Sequence, residues 1–588
     1  MKNVIVDRRA VLKTAGLAGG AAAFASYLPA WAHDATGLTP PMESVSGEEI
    51  ALKLAHATFG LNGKAGHALT VNGTMPGPII RLKEGQSVRL AVTNALAEDS
   101  SIHWHGILLP FNMDGVPGIS FPGIKPGQTY NYDFKVQQAG TYWYHSHSNM
   151  QDAMGMFGAI IVDPAKPDPV RYDREHVIIL SDWGAMHPHA MLKKLKIEGA
   201  YFNRQKQTLA GLTKGKDQSL SDRLMWGAMR MDPTDISDVS APAYTYLING
   251  HDSAANWTGL FTKGERIRLR IINASSMSNF NVRIPSLPMT VVQADGIDIR
   301  PVEVDEFQIG IAETYDVIVM PPAEQAYGFI AEAINRSGLC RATLAPRLGM
   351  VASVPPLRER PLLGMKDMGM GMGDMAGMDH GSMAGMDHSM MSHGDMKMDH
   401  GAMNMKMRDP SVAPQVKMGP GVATLSPEAE DRSGDRPTGL EKLDHRVLTY
   451  RQLVALEPNA DSRVPSRELD IHLTANMERY MWSFDGVKFS DRAEPLAFRQ
   501  NERVRVNLIN HTMMPHPIHM HGHFFELVNG NPGNQPSKHT VNVLPGGKIS
   551  FDLTADALGD WAFHCHMLFH MHTGMFRVVT VRKEDDQA

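Results

Sequence analysis

Cysteine is nearly missing from this sequence: 588 residues hold two, Cys340 and Cys565. A disulfide framework is thereby excluded, since two thiols close at most one bridge. An excess of one charge sign is missing too. Fifty-seven basic residues stand against 63 acidic ones, a formal net charge of -6, so neither nucleic acid nor an anionic membrane surface is expected as a partner. No apolar run would make a stable membrane span; the stretch near the N-terminus is short and rich in Ala and Gly. What remains, 43% apolar and 20% charged, is ordinary for soluble globular protein. It is too long for one hydrophobic core, so two to four domains are expected. Two residue types are in excess: 40 methionines and 27 histidines.

The N-terminus suggests a compartment. "DRRAVLKTAGLAGGAAAFASYLPAWA" carries the pair Arg8 and Arg9, a run of small residues and an Ala30-Trp31-Ala32 ending. This reads as an export signal over residues 1–32, of the twin-arginine kind, with His33 as the mature terminus in a bacterial periplasm.

Beyond it the patterning is all-β. Short runs such as "SVRLAVTN", "YNYDFKV", "GAIIVD", "RIRLRIIN", "YDVIVM" and "FRVVTV" alternate at period two between Gly, Pro and Asn turn signals, which suits β-sandwiches. One helical interruption is expected over Ser219 to Arg230. An internal echo counts the domains. "GQSVRLAVTNALAEDSSIHWHG", "GERIRLRIINASSMSNFNVRI" and "NERVRVNLINHTMMPHPIHMHG" share a strand ending in Asn, a turn and a second strand. Three copies imply three related sandwiches, over residues 33–165, 166–355 and 441–588. The second copy has no histidine on its second strand.

Residues 356–440 differ. From Met365 to Met407 the chain holds fifteen methionines and four histidines among Gly and Asp, with "MAGMDH" twice and no hydrophobic period. Such composition cannot bury a core and is expected to be disordered. Its thioethers are soft donors suited to Cu(I). Methionines in "MHPHAM", "MWGAMRM" and "NMQDAMGM" read instead as core filling, with the lining of a Cu(I) path as the alternative, and Cys340 as a buried thiol.

The histidines carry the chemistry. About one H-x-H is expected by chance at this histidine content, and "HPH" at His187 to His189 is read as that accident. "HWHG" (His103, His105), "HSHS" (His145, His147), "HPIHMHGH" (His516, His519, His521) and "HCH" (His564, His566) all lie on or beside strand-like sequence. Residues two apart on a strand share a face. The eight imidazoles of His103/His105, His145/His147, His519/His521 and His564/His566 are too many for one metal and suit two or three. Cys565, between His564 and His566, must point the other way. With His516, His570 and Met575 it forms a two-His, one-Cys, weak-Met set that fits a one-electron blue copper site. A zinc site and an inert core thiol are the alternatives for Cys565.

In order and spacing, these four motifs resemble those of the multicopper oxidases, and "HTMMPHPIHMHG" and "GTYWYHSHS" are similar to the bacterial copper-resistance branch. The resemblance implies three cupredoxin-like Greek-key domains and four copper ions. His516, Cys565, His570 and axial Met575 would hold the type 1 copper, and His103 and His519 the type 2. His105, His145 and His566 would hold one type 3 copper, and His147, His521 and His564 the other. Cys565, His564 and His566 would carry electrons between the centres. Asp114 in "MDGVPG" matches an acid that relays protons, its alternative being a turn-forming Asp before Gly115. Some relatives place a glutamate after the type 1 histidine, where this chain has Met571. The implied activity is oxidation of Cu(I), or of phenols, with reduction of O2 to water, by a monomer whose partners are periplasmic or outer-membrane copper-handling proteins. A copper-storage protein with little turnover is the competing reading.

Overall fold

The computed structural model describes residues 42–61, 64–241, 243–370 and 407–583. The expected export signal and residues 371–406 of the methionine-rich segment lie outside the described residues. Among the described residues six β-sheets form, two in each third of the molecule. In the first third, the sheet with Glu49–Leu61, Ser87–Asn94 and Thr129–Lys135 faces one ending in Phe157–Asp163, Gly140–His145 and His103–His105. The last third repeats this: one sheet contains Arg467–Asn476, Arg503–Asn510 and Gly547–Thr554, and the other runs Leu496–Arg499, Phe576–Arg582, Gly559–Cys565, His516–Met520, Thr540–Val543.

The sequence echo has a structural counterpart. Glu49–Leu61 pairs in parallel with Ser87–Asn94, Arg174–Trp183 with Ile267–Asn273, and Arg467–Asn476 with Arg503–Asn510. Each second strand then pairs antiparallel with the next. Adjacency of non-consecutive strands is the Greek-key signature. The terminal asparagines, Asn94, Asn273 and Asn510, are fully buried and perform one task three times. Each side-chain oxygen accepts from the backbone N–H two residues on, in Leu96, Ser275 and Thr512. Each amide then donates to two or three carbonyls, one four or five residues ahead and the others 30 or more residues away. The first bond closes an Asx turn. The others tie it to the facing sheet, aiming the following strand, which is His103–His105 in one copy and His516–Met520 in another.

Ion pairs fix the sandwiches to one another. Arg270 of the middle one reaches Glu175 at 2.9 Å, Asp316 at 3.1 Å and the Thr141 hydroxyl of the first at 2.9 Å. Lys538 of the third is fully buried between Asp295 and Glu313 of the second, each at 3.1 Å.

The helix expected near residue 219 runs Leu220–Ala228, its N-terminus capped by the Ser219 hydroxyl accepting from the Asp222 N–H. Two further helices, Pro188–Ile197 and Leu209–Thr213, share the same insertion. Cys340 is buried and free. His187 and His189 sit exposed at the start of Pro188–Ile197, with the His187 ring accepting from the His189 N–H.

Two predictions follow from the packing. Asn273→Ala leaves two buried carbonyls and a buried N–H without partners, so it lowers unfolding free energy by about 3 kcal/mol, read by urea denaturation. His511 gives a pH dependence. Its Nδ1 accepts from the Ser426 N–H at 2.8 Å, which only a neutral ring allows, and burial, then His472, push its pKa down to about 3. Its ordinary value is about 6.5, so the unfolded chain takes up the proton first. Stability from this group is complete above about pH 6.5 and is lost as pH falls toward 3. His511→Gln should flatten the loss between pH 7 and pH 5 in thermal melts.

Candidate metal centre

The strand Gly559–Cys565 serves two sites. The Cys565 thiol lies 3.4 Å from His516 Nδ1 and 3.8 Å from His570 Nδ1, and the two nitrogens are 3.2 Å apart. All three residues are fully buried. Met575 is buried beside them, its backbone carbonyl accepting from the Cys565 N–H and its N–H donating to the His570 carbonyl. On the opposite face, His564 Nε2 lies 3.4 Å from His147 Nε2 and 3.1 Å from His521 Nε2. His566 groups with His105 and His145, and His103 with His519 and His521. The structure therefore gathers all eight paired imidazoles into one pocket between the first and third sandwiches, and the Cys565 thiol into another.

The proton positions reveal what the pocket is for. His521 Nδ1 faces the Asp114 carboxylate at 2.9 Å, and His564 Nδ1 faces the Cys565 carbonyl at 3.0 Å. Both partners can only accept, so each Nδ1 carries the proton and each Nε2 a lone pair. Those two lone pairs confront each other at 3.1 Å. His103, His145 and His519 repeat the pattern, with Nδ1 donating to the carbonyls of Asp114, Ser146 and His539. Their Nε2 atoms, with those of His105 and His566, are buried without a hydrogen-bond partner. Burial holds His105, His145, His147, His519, His521 and His566 well below the usual imidazole range, their neighbouring rings adding to the effect. His564 is lowered to about 4 by burial. Neutral rings with converging lone pairs, five of them (His103, His145, His519, His521 and His564) anchored through Nδ1, are how proteins prepare imidazoles for a cation.

The thiol site uses the opposite nitrogens. His570 Nε2 donates to Asp238 at 2.8 Å. The Thr512 hydroxyl donates to the Met514 carbonyl and receives His516 Nε2–H at 2.7 Å. Both Nδ1 lone pairs are left facing Cys565. Burial pushes the thiol far up, so it ionises only when a cation takes the proton's place. Two imidazoles and one thiolate with their ligating atoms gathered at one point fit copper.

Three surrounding residues were not legible in the motifs. Asp238, in the insertion of the middle sandwich, holds His570 and also receives the Tyr480 hydroxyl at 2.7 Å. Burial lifts its pKa to about 7. Trp482 stacks on the His570 ring at 3.5 Å. His539 stands next to His105 and His519. Asp114 joins two sandwiches: its carboxylate receives His521 at 2.9 Å and lies 3.3 Å from His103 Nδ1.

Fold and site together define a copper-dependent oxidoreductase whose thiolate site and imidazole pocket share one strand. The chain belongs to the multicopper oxidase family: models described as multicopper oxidase match residues 53–167, 174–346 and 463–585. It is 48% identical to copper resistance protein A of Escherichia coli, over 98% of this chain and 99% of that protein. A copper resistance protein A homolog of Pseudomonas syringae pv. tomato is also 48% identical, with the same coverage. Multicopper oxidase MmcO of Mycobacterium tuberculosis is 30% identical over 95% of this chain and 94% of its own length. Among solved structures, Fet3p, a multicopper oxidase that functions in iron import, superposes with a TM-score of 0.61 at 18% identity, covering 92% of this chain and 90% of that one. The laccase of Botrytis aclada gives 0.60 at 21% identity, covering 95% and 90%. These likenesses establish the cupredoxin-like multicopper oxidase fold. The cofactor is copper.

Asp114→Asn leaves one carbonyl oxygen where two carboxylate oxygens meet two imidazoles. Dioxygen turnover should fall by about 10- to 100-fold with the blue absorption of the thiolate site retained, as measured by oxygen electrode and visible spectroscopy. Unchanged turnover would reduce Asp114 to a turn residue.

Proposed function

We propose that this chain is a periplasmic cuprous oxidase, exported by its twin-arginine signal, that couples oxidation of four Cu(I) ions to reduction of one O2 and four protons to two waters. His516, Cys565, His570 and Met575 would hold the type 1 copper, and His103 and His519 the type 2. The two type 3 ions would fall to His105, His145 and His566, and to His147, His521 and His564. Bound copper supplies one-electron transfer at the thiolate and four-electron reduction of dioxygen in the imidazole pocket, chemistry that side chains lack.

The observation that carries the substrate assignment is a second concentration of methionine. Met225, Met229, Met368, Met370, Met407 and Met513 are buried in one cluster with Trp226 and Ile236, and Met231, Met365 and Met477 pack against it. Met513 is three residues from His516, and Ile236 two from Asp238, which holds His570. Both described ends of the methionine-rich segment, Met365 to Met370 and Met407, are ordered and seated here, contrary to the disorder expected of the whole segment, because the cluster's other apolar residues bury their thioethers. Beside the cluster opens a cavity of about 370 Å³. Met229, Met231, Met418, Met477 and Met513 line it, and Thr512, the partner of His516, forms part of the wall. Thioethers stay neutral at every pH and prefer soft Cu(I). The segment over residues 365–407 would gather the ion and the cluster would present it to His516 and His570. A small phenol also fits a cavity of this size, so phenols are the second substrate class.

The remaining residues have defined tasks. Asp238 and Trp482 hold the His570 ring in one orientation. Cys565, with the peptides to His564 and His566, is the covalent connection between the two pockets. Asp114 holds His521 and His103 and, on this reading, passes protons into the imidazole pocket. A storage protein needs the thioethers alone; it needs no thiolate tied through one strand to eight imidazoles.

Replacing Met225, Met229 and Met513 together by Leu keeps volume and removes the sulfur. Cu(I) oxidation should lose at least about tenfold in kcat/KM, while oxidation of a simple phenol stays within about twofold. Equal loss on both substrates would locate the effect in packing. No oxygen uptake on adding Cu(I) to the copper-loaded protein would favour storage.

A further inference from the structure

The middle sandwich repeats the strand, Asn and turn of its neighbours without placing a histidine on the strand that follows. Its turn meets the metal pockets in another way. Asn273 ends the strand Ile267–Asn273, and its side-chain oxygen accepts from the Ser275 N–H. The turn delivers Ser276 and Met277, both buried, against the third sandwich where the chain runs from one pocket to the other. That run, His566 to His570, contributes a ring to each pocket and enters the helix Leu568–Thr573 after Met567.

The first N–H groups of a helix have no partner within it, and Met567 supplies no side-chain cap here. The middle sandwich caps the helix instead. The Leu568 N–H donates to the Ser276 carbonyl at 3.0 Å, and the Phe569 N–H to the Met277 thioether sulfur at 3.4 Å. Leu568 and Phe569 are buried, so water cannot stand in for either acceptor. One carboxylate holds both capping residues. Asp182, buried on the strand Arg174–Trp183, accepts the Ser276 N–H at 2.9 Å and the Ser276 hydroxyl at 2.8 Å through one oxygen, and the Met277 N–H at 3.0 Å through the other. Bonds to both oxygens of one carboxylate add geometric specificity. Two residues beyond Leu568 stands His570, whose ring meets Cys565.

We propose that Asp182 is a positioning residue for the type 1 copper site. Through Ser276 and Met277 it sets the course of the chain from His566 to His570, and so the place where the His570 ring meets the thiol. The proposal rests on the assignment of His516, Cys565 and His570 to that copper.

Amide hydrogen exchange on the copper-free protein tests the clamp. Asp182→Asn removes one of the two accepting oxygens, and Leu568 and Phe569 should exchange at least about tenfold faster than in wild type, while the strand Arg503–Asn510 keeps its protection. In the same variant loaded with copper, the blue absorption should shift and the type 1 reduction potential should move, with copper content and the type 2 signal as in wild type. Met277→Leu keeps the volume and withdraws only the sulfur; it should speed exchange at Phe569 and spare Leu568, and it carries the same readouts if Asp182→Asn does not fold. Unchanged exchange at both amides overturns the clamp. Faster exchange with blue absorption and potential both unaltered overturns the positioning role and leaves Asp182 a structural residue of the middle sandwich. A copper-loaded wild-type protein without blue absorption would sink the type 1 assignment, on which the exchange measurement does not depend.

Discussion

Alternation along one strand is the constraint on which everything else depends. Side chains of an extended backbone leave on opposite faces, so His564 and His566 cannot enter the imidazole pocket without sending Cys565 the other way. The distances bear this geometry: 3.4 and 3.8 Å from the thiol to the two histidines on its side, and 3.1 and 3.4 Å from His564 to its partners on the other. A slip of one residue in the pairing of Gly559–Cys565 with His516–Met520 would exchange the two sets. That register, with Ile518 opposite Cys565 and His519 opposite His564, is defended by apolar neighbours. Phe563 and Ile518 are buried on the thiol's side of the core.

The histidine-poor middle sandwich acts by holding the other two. Asp295 and Glu313 enclose Lys538, and Asp295 also takes the N–H groups at the head of the strand opposite His519. Asp238 reaches into the thiol site. Buried ion pairs of this kind add little net stability, because desolvation offsets their attraction. Their value is geometric, since removing one partner strands the other charge. The middle unit thus fixes the angle between the pockets and the outer edge of the thiol site without supplying any of the twelve anticipated ligands.

Much of this was legible in the chain. Period-two runs and the thrice-repeated strand, Asn and turn led to three sandwiches because the Asn residue has a local job, closing its own turn. The H-x-H pairs were readable because strand periodicity converts spacing into a shared face. Asp238, Trp482 and His539 were hidden because each acts through tertiary contact and lies in no local pattern. The insertion was read in part. Ser219 marks the start of Leu220–Ala228, whereas Pro188–Ile197 passed unnoticed although His187 caps it and Pro188 opens it. There the helix cap and the H-x-H spacing fall on the same residues, His187 to His189. The methionines of "MWGAMRM" read as core filling, and Met225 and Met229 are buried while Met231 is partly so; their neighbours, the ends of a distant methionine-rich segment, could not be known from spacing.

The two pockets share an energetic state that explains why the metal belongs to the fold. Converging lone pairs, neutral imidazoles deprived of water and a thiol pushed far up by burial are each unfavourable alone. The chain keeps them in place with ordinary sandwich cores and with acceptors on the outward nitrogens. Cation binding relieves all of these at once: lone pairs gain a partner, the thiol loses its proton and no new surface needs burying. Such binding contributes directly to the stability of the native state.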